Sequence, residues 1–246
     1  MITPEYVKEQ IKVIRAHDPA MHSDWEVFLY PSFWAVYYYR KAHEQYLKGH
    51  YLRARKISQK AARKTGIEIH PGAKIGKGFF IDHGTGVIIG ETAEIGDNVL
   101  LYQGVTLGGT GKEKGKRHPT IGDNVMISAG AKVLGSITIG NNVKVGAGSV
   151  VLESIPDNCT VVGVPGRIVK RLNEEKPSEN IDQMDLPNPV QEDLDVLKNA
   201  NTELTNHVIR LEEEIRDMQN RYSGKSERNR IAMDLANTEG MNGEGI

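Results

Sequence analysis

The sequence predicts an α+β chain in three parts: N-terminal helices, a coiled β-solenoid of short parallel strands, and a C-terminal coiled-coil helix. Three observations carry this. Apolar residues stand at helical spacing through residues 4–65, aliphatic residues recur every six positions from Ile69 to Val151, and apolar residues step by three and four from Leu194 to Tyr222. The expected organisation is a helical domain over 1–65, a solenoid over 66–172, a linker over 173–190, a coiled-coil helix over 191–223 and a mobile tail over 224–246.

In the first part Val7, Ile11 and Ile14, then Phe33, Val36, Tyr37 and Ala42, recur at helical spacing. Asp18-Pro19 and Tyr30-Pro31 interrupt them, so several helices are expected.

In the second part the sixfold positions are Ile69, Ile75, Ile81 and Val87, then Ile95, Leu101 and Leu107, then Ile121, Ile127, Val133, Ile139, Val145 and Val151. Between them sit glycine, Asp-Asn pairs and small residues, as in Ile121-Gly122-Asp123-Asn124-Val125-Met126. A helix cannot hold a period of six on one face, because 3.6 residues per turn walk such positions around its surface. A triangular coil of three hexads can: each flat face turns one aliphatic side chain inward, small residues fit the corners, and successive coils stack at about 4.8 Å through ladder hydrogen bonds. The register slips by two between Val87 and Ile95, and residues 108–119 replace hexads with a polar, glycine-rich excursion that reads as a loop.

After Arg171 the chain becomes acidic and proline-bearing through 173–190, as a linker would. Leu194, Leu197, Asn201, Leu204, Val208, Leu211, Ile215, Met218 and Tyr222 then form a coiled-coil seam in which the one polar member, Asn201, fixes register.

Charge and cysteine content narrow the function. Thirty-one Lys and Arg against thirty-two Asp and Glu leave a net charge of −1, which argues against a nucleic-acid partner. No apolar run approaches the ~20 residues of a membrane helix. One cysteine, Cys159, allows no intramolecular disulfide, and residues 1–5 do not resemble a secretory leader, so a cytoplasmic protein is expected.

Chemistry concentrates in four segments: Asp82-His83-Gly84-Thr85-Gly86, Gly90-Glu91-Thr92-Ala93, Val105 to Lys112 with Arg117-His118-Pro119, and Gly163-Val164-Pro165-Gly166-Arg167. A histidine held beside an acid on a stiff scaffold suits proton transfer near neutral pH. The hexads resemble the left-handed parallel β-helix of hexapeptide-repeat acyltransferases. The four segments in this order, with Asp18-Pro19-Ala20, are similar to serine acetyltransferases over roughly residues 5–170.

That resemblance implies direct attack of the serine hydroxyl on the thioester of acetyl-CoA, without a covalent enzyme intermediate. His83 would act as general base and Glu68, where many members carry Asp, as the acid that orients it. Asp18 and Asp82 would hold the serine ammonium, and Arg117 with His118 its carboxylate. Gly109, Thr110, Ala129, Lys144 and Ala147 match positions along the CoA arm. No permanently bound cofactor or metal is implied. L-Cysteine would inhibit at the serine site, the assembly would be a homotrimer with a hexamer as the other form seen in relatives, and Ile246, ending Gly243-Glu244-Gly245-Ile246, would bind O-acetylserine sulfhydrylase. Two other readings stay open: a zinc site on His70, His83 and His118, although the close His pair of hexapeptide-repeat carbonic anhydrases is absent, and a non-catalytic trimeric scaffold.

Overall fold

The computed structural model describes residues 2–111, 114–171 and 189–239; most of the expected linker, and Ile246, lie outside them. The chain divides into two units at Pro189.

The first unit opens with three helices. α1 (Pro4–His17) starts on a proline behind Thr3, whose hydroxyl accepts from the Tyr6 N–H at 3.3 Å. It stops where Asp18 turns extended ahead of Pro19. A 3₁₀ turn over Asp24–Leu29 leads to α2 (Pro31–Leu47), again with proline as its first residue. α3 (Tyr51–Thr65) ends on Gly66 in the left-handed region, φ 72°. The expected proline breaks are therefore helix boundaries.

The β-region winds in coils of three strands. The first coil is β1 (Glu68–Ile69), β2 (Lys74–Ile75) and β3 (Phe80–Ile81); the second is β4 (Ile88–Ile89), β5 (Glu94–Ile95) and β6 (Leu100–Leu101). The third is β7 (Thr106–Gly108), β8 (Thr120–Ile121) and β9 (Met126–Ile127); the fourth is β10 (Lys132–Leu134), β11 (Thr138–Ile139) and β12 (Lys144–Val145). Then come β13 (Val150–Val151), β14 (Cys159–Val162) and β15 (Arg167–Arg171). Stacking produces three faces in the orders β1-β4-β7-β10-β13, β2-β5-β8-β11 and β3-β6-β9-β12-β14-β15, all parallel except the final β14–β15 pair. The second residue of nearly every strand points inward, and Ile81, Ile89, Leu101, Leu107, Ile127 and Val133 are almost wholly buried. Each such side chain contributes about 1.5–3 kcal/mol relative to exposure.

The register slip falls elsewhere than the hexad count indicates. Pairing runs twenty residues from Glu68 to Ile88 but eighteen from Ile88 to Thr106, and the next inward residue after Ile81 is Ile89, so the two extra residues lie in the turn 82–87. Val87 is buried, but in the position before the strand that Ile67, Ala73 and Ala93 fill in other turns. A solenoid turn has two inward positions per hexad, and hydrophobicity alone does not distinguish them.

The outer edge of the first coil is covered by the helices, as exposed strand edges require. Below the first coil, Ser58 Oγ donates to the Ile69 carbonyl at 2.8 Å, Tyr39 Oη to that of Ala73 at 2.7 Å, and His43 Nδ1 to that of Pro71 at 2.7 Å. At the other end β15 pairs antiparallel with β14.

Among the described residues the second unit consists of one helix, α4 (Pro189–Glu239), fifty-one residues long. It runs past the expected end at 223 into the segment expected to be a tail. Gly224 costs a helix only about 1 kcal/mol, and Lys225, Glu227, Arg228, Ala232, Met233, Leu235 and Ala236 that follow favour helix.

Candidate active site

The chemistry-bearing residues lie on two edges of the triangular solenoid. On the first, between the β3 and β1 faces, the longer turn after Ile81 lifts Asp82 and His83 outward; His83 is exposed and takes φ 57°. Gly84 follows with its N–H on the Asp82 carbonyl at 2.6 Å, packed where a Cβ would meet the Ile67 side chain. The end of α1 reaches this edge, with the His17 ring 5.6 Å from that of Phe80. Asp18 thus stands beside His83. Its carboxylate accepts from Tyr30 Oη at 2.5 Å and from the Ala20 N–H at 2.8 Å. These bonds, the Tyr30 phenol first, hold the Asp18 carboxyl below its ordinary pKa, and the His83 charge adds to the effect. Burial, then the bond to Asp18, drives the Tyr30 phenol upward, and the Asp82 charge adds to it, so Asp18, Tyr30, Asp82 and His83 form one cluster.

The second edge lies between the β1 and β2 faces. Thr92 organises it: its hydroxyl oxygen accepts from the N–H groups of Arg117 and His118 at 3.0 and 3.1 Å and lies 2.9 Å from His118 Nδ1. The Thr92 N–H donates to the same Nδ1 at 3.2 Å. His118 is buried, which with the Arg117 charge lowers its pKa. With Nδ1 accepting, the neutral ring carries its proton on Nε2 and presents a donor. The ring occupies the space where a Cβ on Gly90 would sit. Arg117 donates to Glu91 at 2.5 Å, and Tyr46 of α2 donates to the other Glu91 oxygen at 2.9 Å. The Arg117 bond first, then that of Tyr46, lowers the Glu91 carboxyl pKa. Beside this group Tyr46, Tyr51, Arg55, His70, Pro71 and Glu91 line a cavity of about 360 Å³.

The expected site residues are therefore brought together in two groups. Asp18, Asp82 and His83 share the first edge; Arg117, His118, Gly109 and Thr110 share the second, where a Cβ on Gly109 would lie 3.6 Å from His118 Nε2. Ala129 and Ala147 stack above His83's turn on the first edge, through the bonds of Gly104, Gly130 and Gly148 to Thr85, Gln103 and Ala129. Lys144 lies on the adjoining face in β12. Glu68 lies on β1 between the edges and pairs with Arg55 at 3.6 Å. The expected Glu68–His83 hydrogen bond is not among those of the described residues: the α3 guanidinium draws the carboxylate instead. His83 stands on a different edge from His70 and His118, so one chain does not gather the three imidazoles named for zinc.

Sequence reasoning assigned no role to Tyr30, Tyr46, Glu91, Thr92 or Gly90. Three of these lie in the quoted segment Gly90-Glu91-Thr92-Ala93, which was a usable signal. Tyr30 and Tyr46 carried none, since their partners are twelve and forty-five residues away.

Comparison with known proteins bears on the fold and the family. Residues 118–153 match the family model described as bacterial transferase hexapeptide (six repeats). A serine acetyltransferase of Bacillus licheniformis is 54% identical over 85% of this chain and 96% of its own. The crystal structure of a serine acetyltransferase in complex with coenzyme A, from Brucella abortus, is 42% identical with a TM-score of 0.66, covering 69% of this chain and 68% of that one. A serine acetyltransferase in complex with cysteine is 42% identical with a TM-score of 0.65, covering 68% and 69%.

Proposed function

Because the chain belongs to the serine acetyltransferase family, we propose that it transfers the acetyl group of acetyl-CoA to the hydroxyl of L-serine in a site shared by two copies of the chain. The first edge of one copy faces the second edge of its neighbour. The observation that carries this is the division itself: the base and ammonium-binding carboxylates sit on one edge and the carboxylate-binding cation on another, with the β1 face between them. A single chain cannot grip both ends of one amino acid that way. A closed ring of three copies satisfies every edge.

In this reading Asp18 and Asp82 receive the serine ammonium. Tyr30 keeps the Asp18 carboxylate ionised and aimed. Arg117, whose fork suits a carboxylate, binds the other end, exchanging part of its contact with Glu91, while His118 donates from Nε2. His83 Nε2 takes the hydroxyl proton as the serine oxygen attacks the thioester carbonyl. The tetrahedral intermediate collapses with cleavage of the carbon–sulfur bond, and the proton passes from His83 to the departing CoA sulfur. General base catalysis of this kind is worth ~10²–10⁴ in rate. Glu68 steadies the imidazolium once it exchanges Arg55 for His83. The pantetheine arm lies along the small residues Ala129 and Ala147 of one copy and Gly109 and Thr110 of the other, with Lys144 near a phosphate.

L-Cysteine presents the same ammonium and carboxylate and competes with serine, so the product of the pathway that this reaction opens restrains it. The partner expected at Ile246 rests on residues 243–246, outside the described ones; deleting Ile246 is expected to abolish binding to O-acetylserine sulfhydrylase and leave acetyl transfer intact.

Release of CoA from acetyl-CoA with serine tests the activity. The shared site is tested by mixing: His83→Ala and Arg117→Ala chains, each inactive alone, are expected to regain turnover when co-expressed in one assembly. Mixed assemblies as inactive as the parents would overturn it.

A further inference from the structure

We infer that α4 is an assembly helix whose occupant is α4 of other copies of this chain, packed parallel and in register. Fifty-one residues is far beyond a typical globular helix. Its apolar stripe has no cover among the described residues: Leu197 and Leu204 are each 65% exposed, and Leu194, Val208, Leu211 and Ile215 are exposed as well. They hold the heptad positions a and d, with Asn201 as the one polar member of the seam between Leu194 and Tyr222. A helix of this length with such a stripe needs a partner to be stable in water. Among the described residues no helix is long and apolar enough to cross a membrane.

Three features select copies of the same chain over a foreign helix. With Leu194 at position a, Asp193 and His207 fall at g, and Lys198 and Glu212 at e. In a parallel, in-register assembly g of one strand faces the e five residues on in its neighbour, which sets Asp193 against Lys198 and His207 against Glu212. An antiparallel pairing sets g against g and loses both. Second, Asn201 at an a position meets its own counterpart only in register, so that buried amides hydrogen-bond to one another instead of facing leucine. Third, in the shared-site reading the copies already stand on one platform, which raises the effective concentration of the helices for each other. Strand number rests on that reading. β-Branched a residues with leucine at d favour two strands locally, and the threefold platform imposes three.

The test is disulfide trapping in the full chain. Leu197→Cys and Leu211→Cys, made separately and oxidised, are each expected to give a covalent dimer on a denaturing gel, against the background of Cys159, which is buried. An antiparallel coil cannot link both positions to themselves, so failure of either variant to link overturns the proposal. A second variant, Leu204→Glu with Leu211→Glu, is expected to lower the far-ultraviolet helix signal and leave both the mass by light scattering and CoA release unchanged. An unchanged helix signal overturns the coil alone. A monomeric mass overturns the shared-site reading instead. A wild-type mass of two chains overturns the three-stranded form.

Discussion

The hydroxyl of Tyr30 donates to the Asp18 carboxylate at 2.5 Å, joining the residue before α2 to the residue after α1 at the edge that carries His83. This bond lowers the Asp18 pKa, which in the proposed reading keeps an anion available for the serine ammonium. Tyr30→Phe removes the bond and not the ring. The Michaelis constant for serine is expected to rise about 3- to 10-fold, within the value of a hydrogen bond to a charged group, with a smaller change in kcat. An unchanged Michaelis constant for serine would remove Tyr30 from the site.

His83→Ala takes away the proton acceptor and leaves the groove. kcat and kcat/KM should fall together by ~10²–10⁴, with acetyl-CoA binding retained by calorimetry. A variant with near-normal kcat would refute His83 as the base.

Gly90→Ala places a methyl group in the His118 ring. The ring must swing off Thr92, so turnover should drop by more than about tenfold and stability by about 1–3 kcal/mol, the usual cost of overpacking. A thermal melt and a rate measurement check both; wild-type behaviour in each would show that the ring is not fixed there.

Glu91 supplies a pH test. Arg117 and Tyr46 depress its carboxyl pKa in the folded chain, so its contribution is complete above the unfolded value of about 4.3 and is lost as pH falls through the lower folded value. The difference in Tm between the wild type and Glu91→Gln should be present near about pH 7 and shrink toward about pH 3. A difference equal at both ends would mean that the charge pair contributes nothing.

L-Cysteine should raise the apparent KM for serine without lowering the maximal rate. Inhibition that excess serine does not relieve would place cysteine at another site.

The hexads determined the β-helix from sequence alone. Six-residue spacing with Asp-Asn corners permits one packing, and the corner residues Asn98, Asn124, Asn142 and Asn158 do take left-handed φ near 55–59°. Proline and capping chemistry likewise set the helix boundaries in 4–65, because those effects act within a few residues. The motif residues His83, Asp82, Arg117 and His118 were legible as chemistry but not as geometry. Only the folded coil decided that they fall on two edges, since the angle between turns depends on how many residues each turn takes, and the two-residue slip is ambiguous between inward positions. The bonds of Tyr30 to Asp18, Tyr46 to Glu91 and Arg55 to Glu68 are long-range pairings that leave no periodic trace, and they came from the packing of α2 and α3 under the first coil.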